Sequence, residues 1–189
     1  MQAGAAVAGF RALRRFGAEC GAISAVEFAL ILPFMVTAYL GSVELGDGLA
    51  VQFRATLAAR TVADLTSQYV NIDAATMTQI LGAASTVVAP YSANTMTVTV
   101  SEVTTTDASG DAEVTWSAAN TGNGRAVGSP VTLPTALQTL PTNTALILGE
   151  VTYPYDPQFG YVLTGTINIY ESQYFYPRLS TCVNYNSTC

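Results

Sequence analysis

From Gly21 to Val43 the chain reads GAISAVEFALILPFMVTAYLGSV, a run that holds a single charge, Glu27. About 20 apolar residues at 1.5 Å rise each cross the hydrocarbon core of a bilayer. The run has that length, so it predicts a membrane-spanning helix. Arg11, Arg14 and Arg15 precede it, against Glu19, while Glu44 and Asp47 follow it. The positive-inside rule then puts the N-terminus in the cytoplasm and the body of the protein outside. A cleaved secretory signal is the competing reading. It needs a shorter apolar core with a small-x-small site just behind it. Here the apolar run passes into a helical pattern without a polar break, which favours a retained anchor.

Glu27 is the anomaly in that run. A carboxylate at the bilayer centre costs on the order of 2–3 kcal/mol or more on insertion scales. Glu27 lies six residues after Gly21, about 9 Å along a helix, so it can approach the headgroups. It either snorkels there without a specific role or meets a partner cation on another chain.

Composition closes off several functions. Of 189 residues only 11% are charged, against about 25% in an ordinary soluble domain. The net charge is −6, with no His and no Lys. A chain this acidic lacks the basic stripe that phosphate binding requires, so no nucleic-acid partner is expected. Without His, Ser–His and Cys–His nucleophiles and His-ligated metals are excluded, and no cofactor is expected. A glycosidase-like carboxylate pair drawn from Glu113, Glu150 and Asp156 is the remaining enzymatic option. Their spacing does not recommend it, so the expectation is a protein that is not an enzyme.

Past the anchor, Leu45, Leu49, Phe53 and Leu57 recur every four residues, with Gln52, Arg54, Arg60 and Asp64 off that stripe. This predicts an amphipathic helix to about Gln68, continuous with the anchor, with Pro33 and the Gly46/Gly48 pair as possible kinks. The stripe would face other subunits near the membrane and a sheet further out. Gly41, Gly46 and Gly48 lack the four-residue repeat of a helix-dimer motif. Asp73 reads as an N-cap for a second helix with Met77, Ile80, Leu81, Ala84 and Val87 on one face, stopped by Pro90.

From residue 95 the period becomes two. Met96, Val98 and Val100 alternate with Thr. DASGD (107–111) is turn material rather than a calcium loop, because it lacks the closing bidentate Glu. Ala112, Val114 and Trp116 then alternate, completing a hairpin. Residues 119–144 read as a long loop with a possible helical turn near 134–140. ALILGEVTY (145–153) reads as a central strand and 164–170 as a fourth strand. The fold class is α+β. It comprises a long N-terminal membrane-spanning helix, a second short helix and about four antiparallel strands. The expected organisation is a basic cytoplasmic leader (1–21), a transmembrane helix (22–44), a helical stalk (45–94) and an extracytoplasmic β-rich head (95–189).

Cys182 and Cys189 close the chain as CVNYNSTC. A disulfide between them would contribute roughly 2–3 kcal/mol by loop closure and needs an oxidising compartment. Two free thiols are the alternative. YPYDPQFGY (153–161) is either an aromatic docking loop or a loop that folds its rings onto the sheet.

AVEFALILPF, preceded by a basic segment and a Gly and followed by a long amphipathic helix, resembles the TadE-like pseudopilins. These are minor components of the tight-adherence (Tad/Flp) type IV pilus machines. The resemblance is strongest over residues 14–68 and extends more weakly to EVTYPYDPQFGYVLTG and the closing Cys pair. It implies processing by a prepilin peptidase at the cytoplasmic face of a bacterial inner membrane, with the head in the periplasm. It also implies a pilin-like shape, pilin or pseudopilin subunits, the Tad secretion machinery and membrane lipid as partners, and a role in pilus assembly and surface adherence. Glu27 would then pair with the amine freed on a neighbouring subunit. The family pattern has Gly before the cut and Glu fifth after it. Counting back from Glu27 starts the mature chain at Ile23, with Ala22 before the cut. Cutting after Gly21 makes Glu27 the sixth residue. Substitution of Ala22 for Gly, a spacing one longer, or no processing at all remain open. An unprocessed single-pass envelope protein acting as a binding or adhesion module is the alternative function.

Overall fold

The structure is a computed structural model that describes residues 21–106, 111–158, 160 and 164–189. The basic leader, Cys20 and most of the DASGD turn lie outside the described residues. In chain order the elements are α1 (Gly21–Ser67), β1 (Asn71–Ile72), α2 (Ala74–Val88), β2 (Thr97–Thr105) and β3 (Asp111–Ala119). They continue with β4 (Pro130–Thr132), a 3-10 turn (Thr135–Leu137), β5 (Ala145–Tyr155), β6 (Ile167–Phe175) and β7 (Asn184–Tyr185). The fold is α+β, as the sequence predicts. β4-β3-β2-β5-β6 form one antiparallel sheet, and β1 pairs with β7 in parallel.

The chain divides into two compact units, Met1–Gly46 with Gln158–Thr164, and Asp47–Pro157 with Gly165–Cys189. In the second unit, residues of α1 from Val51 onward belong to the same buried core as the sheet.

α1 is a single 47-residue helix that contains Pro33. Its core-facing side in the second unit is made of small residues, Val51, Ala55, Ala58, Ala59, Val62 and Ala63, all 1% exposed or less. Short side chains let backbone approach backbone, and the partner surface is shaped to match. A Cβ on Gly149, in the middle of β5, would fall 2.4 Å from the Ala59 carbonyl oxygen. Only glycine lets the central strand come this close.

α2 starts where the sequence places it. The Asp73 side chain accepts a hydrogen bond from the Thr76 amide at 2.7 Å. Met77, Ile80, Leu81, Ala84 and Val88 are buried, so the face closes on Val88 while Val87 is only half-buried. Pro90 lies just beyond the end, after a cis Ala89–Pro90 bond.

The β2–β3 hairpin carries one irregularity that the alternation does not reveal. Glu102 pairs with Trp116 and Val103 with Val114, so Thr115 is an extra residue on β3. A bulge of this kind reverses which face the following side chains take. Beyond it Val103 joins Ala112, Val114, Val131, Leu133, Leu146 and Leu148 in a second apolar cluster. Leu146 and Leu148 alternate with Gly149, so this cluster lies on the sheet face turned away from α1. Leu137 and Leu140 cover it from the 119–144 segment. That segment therefore also supplies an edge strand, β4. The fourth predicted strand is displaced and longer, running from Ile167 to Phe175.

Candidate functional site

Residues 23–39 of α1 are all exposed. α1 is long and apolar enough to cross a membrane, by length and composition. Large apolar side chains surround it on every side, including Phe28, Leu30, Ile31, Phe34, Met35 and Tyr39. A helix that is apolar all round has no single water-facing side and suits a non-aqueous surrounding. The only side chain in this stretch that is charged at neutral pH is Glu27, which is exposed.

Gly21 and Ala22 lie within the first turn of α1, and Ile23 is 60% exposed. Ile23 and Glu27 are four residues apart, so they share one helix face about 6 Å apart along the axis. Pro33 removes one ladder donor. Its own carbonyl accepts a hydrogen bond from the Thr37 hydroxyl at 2.8 Å, a local contact that needs no water.

The four-residue stripe is placed differently from expectation. Leu45, Leu49, Phe53 and Leu57 are all exposed, Phe53 at 79%. None of them is buried, because the face of α1 that meets the sheet is the small-residue one. Apolar bulk is thus left on the outside of the helix beyond the membrane-length segment, while Ala and Val hold the sheet.

The head contains three polar supports that sequence reading does not locate. Asp47 receives the Tyr91 hydroxyl at 2.8 Å on Oδ1 and the Tyr155 hydroxyl at 3.3 Å on Oδ2. The bond to Asp47 is the main reason the Tyr91 hydroxyl titrates above its ordinary range. Tyr153 and Tyr155 are buried in β5, so the first two rings of the YPYDPQFGY segment fold inward. Phe159 and Tyr161 lie outside the described residues.

Arg125 binds Glu150 in a two-pronged pair, Nε to Oε2 at 2.6 Å and one terminal nitrogen to Oε1 at 2.7 Å. The Tyr170 hydroxyl donates to the same Oε1 at 2.5 Å. Burial, then that bond to Glu150, raises Tyr170 to about 12. Glu150 is therefore occupied structurally. Glu113 and Asp156 are exposed. Among the described residues no cluster of acidic residues or cysteines is arranged to hold a metal ion.

The third support is Glu102, fully buried, whose Oε2 accepts from the Val183 amide at 2.6 Å. The neighbouring Cys182 is joined to Cys189 by a disulfide. The available sequence signal for Glu102 was a lone carboxylate in the alternating run TVTVSEVTT.

No curated protein and no solved structure matches the chain. Residues 22–64, which cover most of α1 and hold both AVEFALILPF and the buried Ala face, match the family model described as TadE-like protein.

Proposed function

We propose that this protein is a membrane-anchored minor pseudopilin that works in the assembly of Tad/Flp pili and in surface adherence, by subunit packing and not by catalysis. One observation carries the reading. The TadE-like match falls on the helix that is long and apolar enough to cross a membrane, and that helix bears a lone exposed carboxylate one turn above Ile23. A chain that begins at Ile23 or Ala22 places a free amine at the foot of α1. Glu27 on a neighbouring copy of the helix is then the complementary charge. In lipid the pair is screened little by water, so it favours one axial register between subunits.

The partners on this reading are pilin or pseudopilin subunits, a prepilin peptidase, the Tad secretion machinery and inner-membrane lipid. The head is periplasmic, where the Cys182–Cys189 disulfide is maintained.

The test is replacement of Glu27 by Ala in a piliated host. Membrane insertion is expected to be unchanged, while piliation and surface attachment fall. Wild-type piliation with Glu27→Ala would indicate a passive anchor and overturn the assembly role. N-terminal sequencing of the membrane-extracted protein is expected to start at Ile23 or Ala22. An intact Met1 would remove the processing step.

A further inference from the structure

Residues 176–189 return from β6 across the sheet and close it on the α1 side. The Arg178 amide donates to the Ser67 carbonyl at 2.9 Å, and its guanidinium pairs with Asp64, so the last turn of α1 is capped by this segment. Asn184 bonds the Val70 carbonyl and pairs with Asn71 in β1. Val183 sits at the centre of the strap and is fully buried. Its amide donates to Glu102 Oε2, and its carbonyl accepts from Trp116 Nε1 at 2.7 Å. Tyr185 then lies over Trp116, with ring centroids 5.3 Å apart.

The latch is poorly suited to a charge. Glu102 is 0% exposed and its Oε1 has no hydrogen-bond partner. Among the described residues no ionised side chain compensates it, and Arg54 and Arg60 of α1 are exposed. α2 has no ionisable residue. Asp64 of α1 and Arg178 of the strap pair with each other. Asp111 and Glu113 of β3 are exposed. Glu150 of β5 is held by Arg125, and Glu171 of β6 accepts from Gln52. Tyr185 rests on the indole. A buried carboxylate with one donor is costly when ionised and much less so when protonated.

We propose that residues 176–189 form a proton-controlled strap, closed over the head when Glu102 is protonated and loosened when Glu102 ionises. Opening brings water to Glu102 and releases the hold on the end of α1, so proton binding sets how firmly the sheet is tied to that helix.

Burial raises Glu102 from 4.5 to about 7, opposed only by the Val183 amide. With the carboxyl near its ordinary value in the open form, strap closure is strongest below pH 4.5. It weakens as pH rises to about 7 and levels off above that. The strap-opening constant therefore rises on the order of 100-fold over that interval.

Trp116 is the sole tryptophan, so its indole N–H gives one unambiguous exchange signal at the latch. The experiment is hydrogen exchange of the full chain in detergent micelles from pH 4 to 8, with each rate divided by its intrinsic rate. The expected protection of the Trp116 indole is below that of the Val100 amide in β2. It should fall on the order of 100-fold from pH 4.5 to 7 and then stay level, and Glu102→Gln should abolish the fall. Indole protection equal to that of Val100 would mean the strap opens only with the whole head, and would overturn the proposal. A pH-independent wild-type profile, or an undiminished fall in Glu102→Gln, would do the same. The wild-type profile decides the matter even if the variant does not fold.

Discussion

Gly149 and Ala59 touch backbone to backbone. A Cβ built on Gly149 would lie 2.4 Å from the Ala59 carbonyl oxygen, 2.9 Å from the Ala63 Cβ and 3.2 Å from a Val62 methyl. Neither the helix backbone nor the central strand can move aside cheaply. Gly149→Ala is expected to destabilise the head by about 1–3 kcal/mol, the usual cost of overfilling a packed core. Thermal or denaturant unfolding followed by the fluorescence of Trp116 measures it. Unchanged stability would mean that α1 is not seated on β5 as described.

Arg125 and Glu150 test a different kind of support. Glu150 has a side-chain exposure of 8% and Arg125 one of 35%. Arg125→Ala leaves a mostly buried carboxylate with only the Tyr170 hydroxyl among its described bonds. The expected loss is about 1–3 kcal/mol, less than for a fully enclosed pair because solvent screens the arginine. The double change Arg125→Met with Glu150→Gln should recover most of that loss. A double variant no more stable than Arg125→Ala would show that the charge of Glu150 is not the source.

Asp73 offers a pH-dependent readout at the start of α2. The Thr76 hydrogen bonds hold its carboxyl below the ordinary value of 3.8. A group depressed on folding stabilises above the unfolded value and loses that contribution as pH falls through the folded one. Asp73→Ala should lower the melting temperature at pH 7. The gap between variant and wild type should shrink as the medium is acidified below pH 3.8. A gap that is constant down to pH 2 would count against the cap.

Phe53 separates folding from assembly. It is 79% exposed on the outside of α1, so Phe53→Ser should change head stability by no more than about 0.5 kcal/mol. If the exposed stripe meets other subunits, the same variant should reduce incorporation into pili while membrane levels hold. Wild-type incorporation would leave the stripe without an assembly role.

Much of the architecture was legible because local rules decide it. The apolar length of 21–43, the Asp73 cap before a 3.6-period face and the two-residue alternation of β2 and β3 each depend on near neighbours in the chain. The expectation that the outer part of the stripe packs on the sheet fails for a physical reason. Periodicity locates the larger apolar side chains of Leu45, Leu49, Phe53 and Leu57, while the core of α1 uses alanine. Alanine carries little hydrophobic signal, and its value here is close approach.

The sequence by itself determined the membrane-length helix, the lone Glu27 within it, the α+β class and the absence of histidine chemistry. Those follow from composition and spacing along one stretch of chain. Only the tertiary structure decided that Gly149 must be glycine, that Glu150 is held by Arg125, and that Glu102 is buried against Val183. Each of these depends on residues at least 25 positions apart, and in the last case 81. Burial, and with it the energy of a charge, is set by what folds over a residue and not by its neighbours in sequence.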